Sequence, residues 1–356
     1  ELAELGAVYD SGALSNRNII INGAFQVAQR GTSSTTNGYQ TVDRWGASLG
    51  DGTSTKAQST DAPSGFANSF SITMSTAAGS IAGYNYAHHY IEGNLIDQFA
   101  FETSDAKNIT LSFYVKSSIT GTWGGAIRNY VVSPATSYRS QSFTYTINAA
   151  NTWERKTVTI SGDTGGSGQW NTGSLGAMSL FFDMGSVGLT QATGSWLGNN
   201  CIGATGTQTS FITTTNATWQ ITGVQLEVGS EATPFEHRSY GDDLALCLRY
   251  FQKSSGQTPP TQNSFNGSQI SIMSGQDPQI TEYLSPPMRA VPSVTLYSSH
   301  GSGTSSQWYG AAFGNSFGTN ARAFGLNSYK IVIDNTDVAA SSTGWCEIGW
   351  TADAEL

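Results

Sequence analysis

Two short segments decide the fold of this chain: NIIINGAF at residues 18–25 and WQITGVQLEVG at residues 219–229. Each segment combines β-branched residues with a glycine, so each predicts a β-strand. A first strand that lies beside a last strand is the arrangement that closes an antiparallel β-sandwich. The two segments therefore delimit a domain, which we place at residues 18–240.

The composition of the chain agrees with an all-β fold. Among 356 residues there are 41 glycines, the aromatic share is 11% and the charged share is 12%, which is roughly half of the usual charged share. Serine, threonine, asparagine and glutamine supply the polarity instead. A chain of this length buries a sizeable core and favours two domains.

The charge balance and the apolar pattern exclude two classes of partner, nucleic acids and membranes. Lys and Arg number 16 against 25 Asp and Glu, so the formal net charge is −9. No cluster of basic residues could neutralise a row of phosphates, so we predict no nucleic-acid partner. No apolar stretch approaches the roughly 18 residues that suggest a membrane span, so we predict no membrane insertion.

The three cysteines predict neither a disulfide framework nor a zinc site. Cys201, Cys247 and Cys346 are far apart, odd in number and outside any CxxC spacing. Such residues usually pack as small hydrophobic side chains. We expect free, buried thiols.

The region from residue 18 to 240 alternates strand-like runs with clusters of Gly, Asn, Asp and Ser. Leu111, Phe113 and Val115 alternate with polar neighbours, which places one face of that strand in a core. The predicted strands are 19–21, 70–74, 109–116, 126–132, 142–147, 155–160, 179–184, 211–214 and 219–228. Together they predict a jelly-roll β-sandwich.

Residues 1–17, before the sandwich, are predicted to be a connector. After the sandwich, a helix is predicted over residues 241–253. Ser239 and Asp242 have the spacing of a capping box. The apolar stripe of the helix consists of Leu244, Cys247, Leu248 and Phe251, which recur at helical spacing. One such stripe needs one partner surface, so we interpret the helix as a bridge.

A polar linker at 254–263 precedes a second β-rich region at 264–356, which predicts a smaller C-terminal β-sandwich. Its clearest strands are 270–273, 294–297, 329–333 and 345–351. Between them, residues 299–320 are rich in Gly, Ser and aromatic residues, which predicts a long loop at the tip of the domain.

The segments in their order resemble the distal part of bacteriophage tail fibre proteins, a family with a jelly roll similar to carbohydrate-binding modules. The resemblance covers residues 18–356. It rests on the segments at 18–25 and 219–229 and on four others: WERKTVTISGD at 153–163, LALCLRYF at 244–251, PMRAVPSVT at 287–295 and DAEL at 353–356. It implies a homotrimeric, non-enzymatic virion protein of the tail fibre. The implied partners are other tail or capsid proteins and a bacterial surface glycan or receptor.

The resemblance leaves two alternative functions open. The alternatives are a capsid (head) fibre or decoration protein and a secreted bacterial carbohydrate-binding module.

The sequence departs from related jelly rolls at one position. Many related jelly rolls hold a structural calcium ion through an Asp where this chain has Ile221-Thr222-Gly223-Val224. We predict no cofactor, although backbone carbonyls and Glu227 leave calcium open.

Loop aromatic residues are the candidate ligand-binding groups. Sugars present apolar C–H faces that lie on aromatic rings, and hydroxyls that need hydrogen-bond partners. The tip candidates are Trp308, Tyr309, Phe313 and Phe317, and the jelly-roll candidates are Trp123, Tyr130, Trp170 and Trp196. We expect the other tryptophans, Trp45, Trp153, Trp219, Trp345 and Trp350, to be packed in cores or interfaces.

Catalytic and metal sites are disfavoured by the pattern of titratable residues. The acidic residues are scattered and show no spacing typical of a glycosidase. The pair His88-His89 is the most metal-like cluster. Neighbouring residues on a strand point to opposite faces, so both imidazoles could easily bind one ion only if the segment were a loop. We interpret these histidines as hydrogen-bonded groups on a loop near a subunit contact, with no metal bound.

Overall fold

The computed structural model describes residues 16–356 except 131–137, 167–169, 255–267, 276, 278, 298–321 and 335–342. Within these residues the chain forms two compact units, which divide between Asp243 and Leu244. Most of the predicted connector at 1–17, most of the linker at 254–263 and the tip loop at 299–320 lie outside the described residues. Among the described residues, no helix has the length and apolarity needed to cross a bilayer.

The first unit is a jelly-roll β-sandwich, as predicted. Sheet A has the strand order β1-β3-β4-β13-β6-β9, and sheet B has the order β2-β5-β10-β7-β8. The strands are β1 (Ser33–Ser34), β2 (Trp45–Leu49), β3 (Thr53–Ser59), β4 (Ser69–Thr76), β5 (Asn85–Glu92), β6 (Ile109–Ser117), β7 (Gly121–Asn129), β8 (Ser140–Ile147), β9 (Glu154–Ile160), β10 (Gly176–Asp183), β11 (Thr190–Gln191), β12 (Gly203–Ala204) and β13 (Thr218–Val228). A short helix, α1 (Gly93–Ile96), follows β5.

The core lies between the two sheets because their strands alternate apolar and polar residues. On β6, Leu111, Phe113 and Val115 are fully buried while Tyr114 is only half-buried. Large aromatic rings complete this core, namely Trp45, Trp123, Trp219, Phe113 and Phe182. The predicted packing of Trp45 and Trp219 is confirmed, whereas Trp153 is half-exposed.

The opening segment lies beside the last strand but forms no strand of its own, which corrects the prediction for residues 19–21. The backbone N–H of Ile19 donates to the carbonyl of Leu226 at 3.1 Å. The side chain of Asn18 donates to the carbonyl of Val224 and accepts from the N–H of Leu226. β4 pairs only with Thr218–Ile221 of β13, so the opening segment lies along the rest of that edge. Single backbone bonds and the side chain of Asn18 hold it there in place of a ladder.

Residues 236–238 fasten the same entry point of the chain. Glu236 accepts hydrogen bonds from the backbone N–H groups of Asn16 and Asn18 at 2.5 and 2.9 Å. The guanidinium of Arg238 donates to the carbonyls of Asn18 and Ile20. We call these contacts the terminal clasp. It ties the entry of the first unit to its exit across about 220 residues of sequence.

A glycine at position 23 permits the close approach of these segments. A Cβ atom placed on Gly23 would lie 2.2 Å from the carbonyl oxygen of Val224. No side chain fits at that distance, and the N–H of Val224 donates to the carbonyl of Gly23 at 3.0 Å. The NG pair of the opening segment therefore serves the contact with β13.

Some predicted and observed strands differ. Residues 211–214 form a turn instead of a strand, because the N–H of Thr214 donates locally to the carbonyl of Phe211. Phe211 and Ile212 are nevertheless fully buried, so the apolar run fills the core without pairing. Strands β2, β3 and β5 were not predicted, since polar or small residues interrupt their apolar pattern.

The predicted helix at 241–253 is shorter in the structure. Helix α2 comprises Tyr240–Leu248, and the capping box is present: Ser239 Oγ accepts from the N–H of Asp242 and donates to its carboxylate. The last predicted turn instead forms strand β14 (Phe251–Lys253), which pairs with Thr351, Ala352 and Asp353. Phe251 thus belongs to a sheet and not to the helical stripe.

The second unit is a smaller all-β structure built from two antiparallel sheets. β20 pairs with β14, β15 and β17, and β19 pairs with β16 and β18. Its further strands are β15 (Ser268–Ile272), β16 (Gln279–Tyr283), β17 (Ser293–Tyr297), β18 (Arg322–Asn327), β19 (Lys330–Asp334) and β20 (Gly344–Asp353). Ile331, Ile333, Ile348 and Trp350 lie in its core, which confirms the predicted packing of Trp350.

Candidate functional site

Strand β5 carries aromatic residues on both of its faces. Ala87, His89 and Ile91 point into the core, where the ring of His89 lies 4.9 Å from that of Trp45. Tyr86, His88 and Tyr90 alternate with them and therefore lie on the outer face of sheet B. The interpretation of His88 and His89 as loop residues is thus wrong, because both belong to a paired strand.

The outer face of β5 joins other rings to form a continuous surface. Along the strand, the ring of His88 lies 5.5 Å from Tyr86 and 4.6 Å from Tyr90. Tyr90 in turn lies 5.0 Å from Tyr130, and Tyr86 lies 5.2 Å from Phe181 of β10. With Tyr39, which stands 5.3 Å from His88, these residues form a surface that we call the aromatic band: Tyr39, Tyr86, His88, Tyr90, Tyr130 and Phe181.

The band has a buried floor and half-buried sides. His88 and Phe181 are 6% and 1% exposed, whereas the four tyrosines are each partly exposed. The floor is close-packed, since a Cβ atom on Gly46 of the neighbouring strand would lie 2.4 Å from His88 Cε1. The exposed parts of Tyr86 and Tyr90 are therefore held on a paired strand, as a preformed binding surface requires.

Two guanidinium groups lie against rings of the band: that of Arg30 lies 5.8 Å from the centroid of Tyr39, and that of Arg128 lies on Phe181. The guanidinium of Arg128, on β7, lies 4.7 Å from the centroid of Phe181 and 5.4 Å from that of Tyr138. It donates to Asn200 Oδ1. In the register of the sheet, Ser179 of β10 lies between Tyr90 and Arg128, so a hydroxyl joins the floor at this point.

Burial sets the charge state of the band. The pKa of His88 is lowered to about 3 by burial, with further lowering by the charges of Arg44 and Arg128. Burial also raises the pKa of Tyr90 and lowers that of Arg128. The imidazole and the phenol are therefore neutral near pH 7, and Arg128 is the cation at this edge of the band.

Another part of the outer face of sheet B is covered by the short parallel strands β11 and β12. There Asp183 accepts hydrogen bonds from the backbone N–H groups of Gly185 and Ser186, and a Cβ atom on Gly203 would lie 2.6 Å from Asp183 Oδ2. Burial raises the pKa of Asp183 to about 6. This carboxyl is enclosed by backbone, so we assign it a structural role.

The raised pKa of Asp183 gives a pH-dependent stability. The folded state binds the proton more tightly than the unfolded state, so the carboxyl favours folding at low pH and this contribution is lost as the pH rises from about 4 to about 6. Relative to the wild type, Asp183→Asn should therefore gain about 2 kcal/mol of unfolding free energy between about pH 4 and pH 7. Urea denaturation across that range measures the difference, and parallel curves for the two proteins would contradict it.

The jelly-roll candidates from the sequence fall in three places. Tyr130 is part of the aromatic band. Trp123 lies on β7 and is fully buried in the core, which corrects its assignment to an exposed loop. Trp170 and Trp196 come together at 5.5 Å with Phe101. The tip candidates Trp308, Tyr309, Phe313 and Phe317 lie outside the described residues.

The Trp170 cluster is tied to the scaffold by its indole groups. Trp170 donates to Asp163 Oδ2 at 3.1 Å, and Trp196 donates to the carbonyl of Ser161 at 2.7 Å. Asp163 also pairs with Arg139. Trp170 is only 9% exposed. Because both polar edges are used internally, this cluster offers less ring surface to a ligand than the aromatic band.

Glu227, which the sequence left open as a calcium ligand, is engaged by protein groups. It accepts from Gln225 at 2.8 Å and from both the N–H and the hydroxyl of Thr233. Among the described residues, no group of three or more His, Cys, Asp or Glu side chains could hold a metal ion. Cys201 and Cys247 are buried thiols, as predicted, while the side chain of Cys346 lies outside the description.

A second concavity of about 470 Å³ lies on the outer face of sheet A. Phe66, Tyr114, Phe235 and His237 line it, with Arg155 beside them. The four rings pack on one another at 4.9 to 5.4 Å, which fixes the segment after β13 against the sheet. We assign this concavity mainly to packing, because its rings hold the segment after β13 on the sheet.

Comparison with known proteins gives likenesses in solved structures alone. No protein family matches the chain, and no curated protein matches it. The solved structures include the enzymatically active domain of tailspike protein 4 of bacteriophage CBA120, at 14% identity and a TM-score of 0.32. That match covers 60% of this chain but 22% of the tailspike domain.

Carbohydrate-binding proteins are also among the similar structures. One is a putative sugar binding protein from Bacteroides thetaiotaomicron, with 14% identity, a TM-score of 0.35 and coverage of 60% of this chain and 100% of that one. Another is the family 11 carbohydrate-binding module of a Clostridium thermocellum cellulase, with 12% identity, a TM-score of 0.28 and coverage of 57% and 98%. The chemistry of the site rests on the residues of this chain.

Proposed function

We propose that the first unit binds a glycan on the aromatic band. The observation that carries this proposal is the row of Tyr86, His88 and Tyr90 along one strand, with ring centroids 5.5 and 4.6 Å apart. A row of partly exposed rings offers flat apolar surface over several sugar units. The C–H faces of sugars bury apolar area on such rings.

Polar groups beside the rings complete the requirements of a sugar site. The hydroxyls of a glycan need hydrogen-bond partners when they lose water. The guanidinium of Arg128 lies in the same row of the sheet as Tyr90, with the buried Ser179 between them, and the amide of Asn200 holds Arg128 in place. The band thus combines stacking surface with donors. The proposed role is binding without catalysis.

Binding assays with a ring-deletion variant test this proposal. Replacing Tyr86 and Tyr90 together by alanine should weaken binding to any glycan that the wild type retains by about 100-fold, since each stacked ring contributes about 1–1.5 kcal/mol. Affinity electrophoresis and calorimetry against a polysaccharide panel measure the loss.

The matched control is Tyr84→Ala, which removes a tyrosine that is 49% exposed and lies just before β5. This variant should bind like the wild type. Thermal unfolding checks that the double variant is folded. Equal affinity of the folded double variant and the wild type would refute the proposal.

We further propose that the glycan belongs to a bacterial surface and that the chain is a homotrimeric receptor-binding protein of a phage tail fibre. The order of the sequence segments that resemble such fibres supports this role, and the ring-bearing sheet face is suited to attachment.

Gold-labelled antibodies on intact particles test the placement: label at the tail supports it. Label on the head would favour a capsid fibre or decoration protein, and absence of label from particles would favour a secreted carbohydrate-binding module.

A further inference from the structure

We infer that the glycan bound by the aromatic band is acidic and that Arg128 recognises its anionic group. This inference rests on the proposed glycan binding and names the class of sugar. Its starting point is the position of Arg128, a partly buried guanidinium at the edge of the row of rings, in line with Ser179 and Tyr90.

Arg128 is a partly buried cation that has no carboxylate partner among the described residues. Ion pairs involve Lys116, Arg139, Lys156 and Arg238, and among the described residues none involves Arg128. The undescribed stretches nearest in sequence, 131–137 and 167–169, contain no acidic residue. Within a chain of net charge −9, a partly buried cation without a counter-ion is an unusual feature that a ligand anion would complete.

The surroundings of Arg128 orient its guanidinium. Phe181 and Tyr138 lie against it at 4.7 and 5.4 Å, and Asn200 accepts from Nη1. These contacts use one nitrogen and the ring-facing surface, while Nε has no hydrogen-bond partner among the described residues. A planar guanidinium held in this way keeps donors for a second acceptor, and it matches the two oxygens of an anionic group.

The neutral surroundings make the recognition selective for charge. His88 is kept neutral by its low pKa, and the rings on either side of Arg128 contribute no charge near pH 7. Coulomb attraction is stronger at a site that is partly shielded from water. Carboxylate-bearing uronic or sialic acid units and sulfated units present the same oxygen chemistry to Arg128.

The test compares acidic polymers with matched neutral polymers. Polygalacturonate, alginate and polysialic acid are compared with their carboxyl-reduced forms, and dextran sulfate with dextran, using the full chain. We expect at least one acidic polymer to bind about 10- to 100-fold more tightly than its neutral counterpart, since hydrogen bonds to charged groups are worth about 1.5–3 kcal/mol. The pair that shows the preference identifies carboxylate or sulfate as the anion.

Two variants assign the preference to Arg128. Arg128→Gln should lower the affinity for the acidic polymer to that of the neutral one, while Arg128→Lys should retain part of the preference. The matched control is Arg155→Gln, which removes an exposed arginine from β9 of the other sheet and should leave the preference intact. Thermal unfolding establishes that each variant is folded.

The outcomes separate this inference from glycan binding itself. Equal binding of acidic and neutral polymers by the wild type, with loss on Tyr86→Ala and Tyr90→Ala, would overturn the inference and leave glycan binding in place. A preference that survives in folded Arg128→Gln would also overturn it. Failure of the wild type to bind any polymer of the panel would count against glycan binding and the inference together.

Discussion

Replacing Trp219 with alanine should remove about 3–5 kcal/mol from the unfolding free energy, the range typical of a large aromatic ring deleted from a packed core. Trp219 is fully buried on β13, its ring lies 5.7 Å from Phe182, and its Nε1 donates to the hydroxyl of Tyr145 at 3.2 Å. The substitution leaves a cavity and also strips the buried Tyr145 hydroxyl of this donor.

Thermal unfolding of the first unit should shift downward by about 10 °C in this variant, since about 2–4 °C accompany each kcal/mol in domains of this size. The control is Trp153→Ala. Trp153 is half-exposed and its Nε1 donates to Asp61 at 3.2 Å. We expect its loss to cost less than about 1 kcal/mol. Equal shifts for the two variants would show that Trp219 is not a core residue.

Removing the carboxylate of Asp163 should be similarly costly. Asp163 is fully buried and accepts hydrogen bonds from Arg139, from Trp170 Nε1 and from the backbone N–H of Gly165. Asp163→Ala leaves a largely buried guanidinium and an indole N–H without their acceptor. Breaking a buried ion pair from one side costs about 3–5 kcal/mol.

A second substitution separates the charge from the hydrogen bonds. Asp163→Asn keeps an acceptor oxygen but loses the negative charge, so its unfolding free energy should lie between those of the wild type and Asp163→Ala. Chemical denaturation measures all three proteins. A change of less than about 1 kcal/mol in Asp163→Ala would mean that solvent replaces the carboxylate, as at exposed ion pairs.

The sandwich was predictable because its central strands alternate. In β6, apolar side chains fill the core on every second position, and this pattern is visible in the sequence alone. β13 shows the same pattern on either side of an irregularity between Thr222 and Gln225. The opening segment was predicted in the right place but not in the right form. Its β-branched residues do pack beside β13, yet the hydrogen bonds come from Asn18, and side-chain bonding of this kind leaves no periodic signal.

The candidate site was only partly predictable. Tyr130 is among the candidates from the sequence, but Tyr86 and Tyr90 are not. The missing step was the alternation of Tyr86, His88 and Tyr90 at every second residue, which is the signal of one strand face. Tyr39, Phe181 and Arg128 join that face through pairing between distant strands, and no local pattern reveals such pairing.

The terminal clasp has a mechanical consequence. Asn16 and Asn18 at the start of the first unit are held by Glu236 and Arg238 at its end. A force applied between residues 16–18 and residues 236–238 would act first on these few polar contacts, because they join the two ends of the unit directly. The sheets that carry the aromatic band would take up that force only after the contacts break.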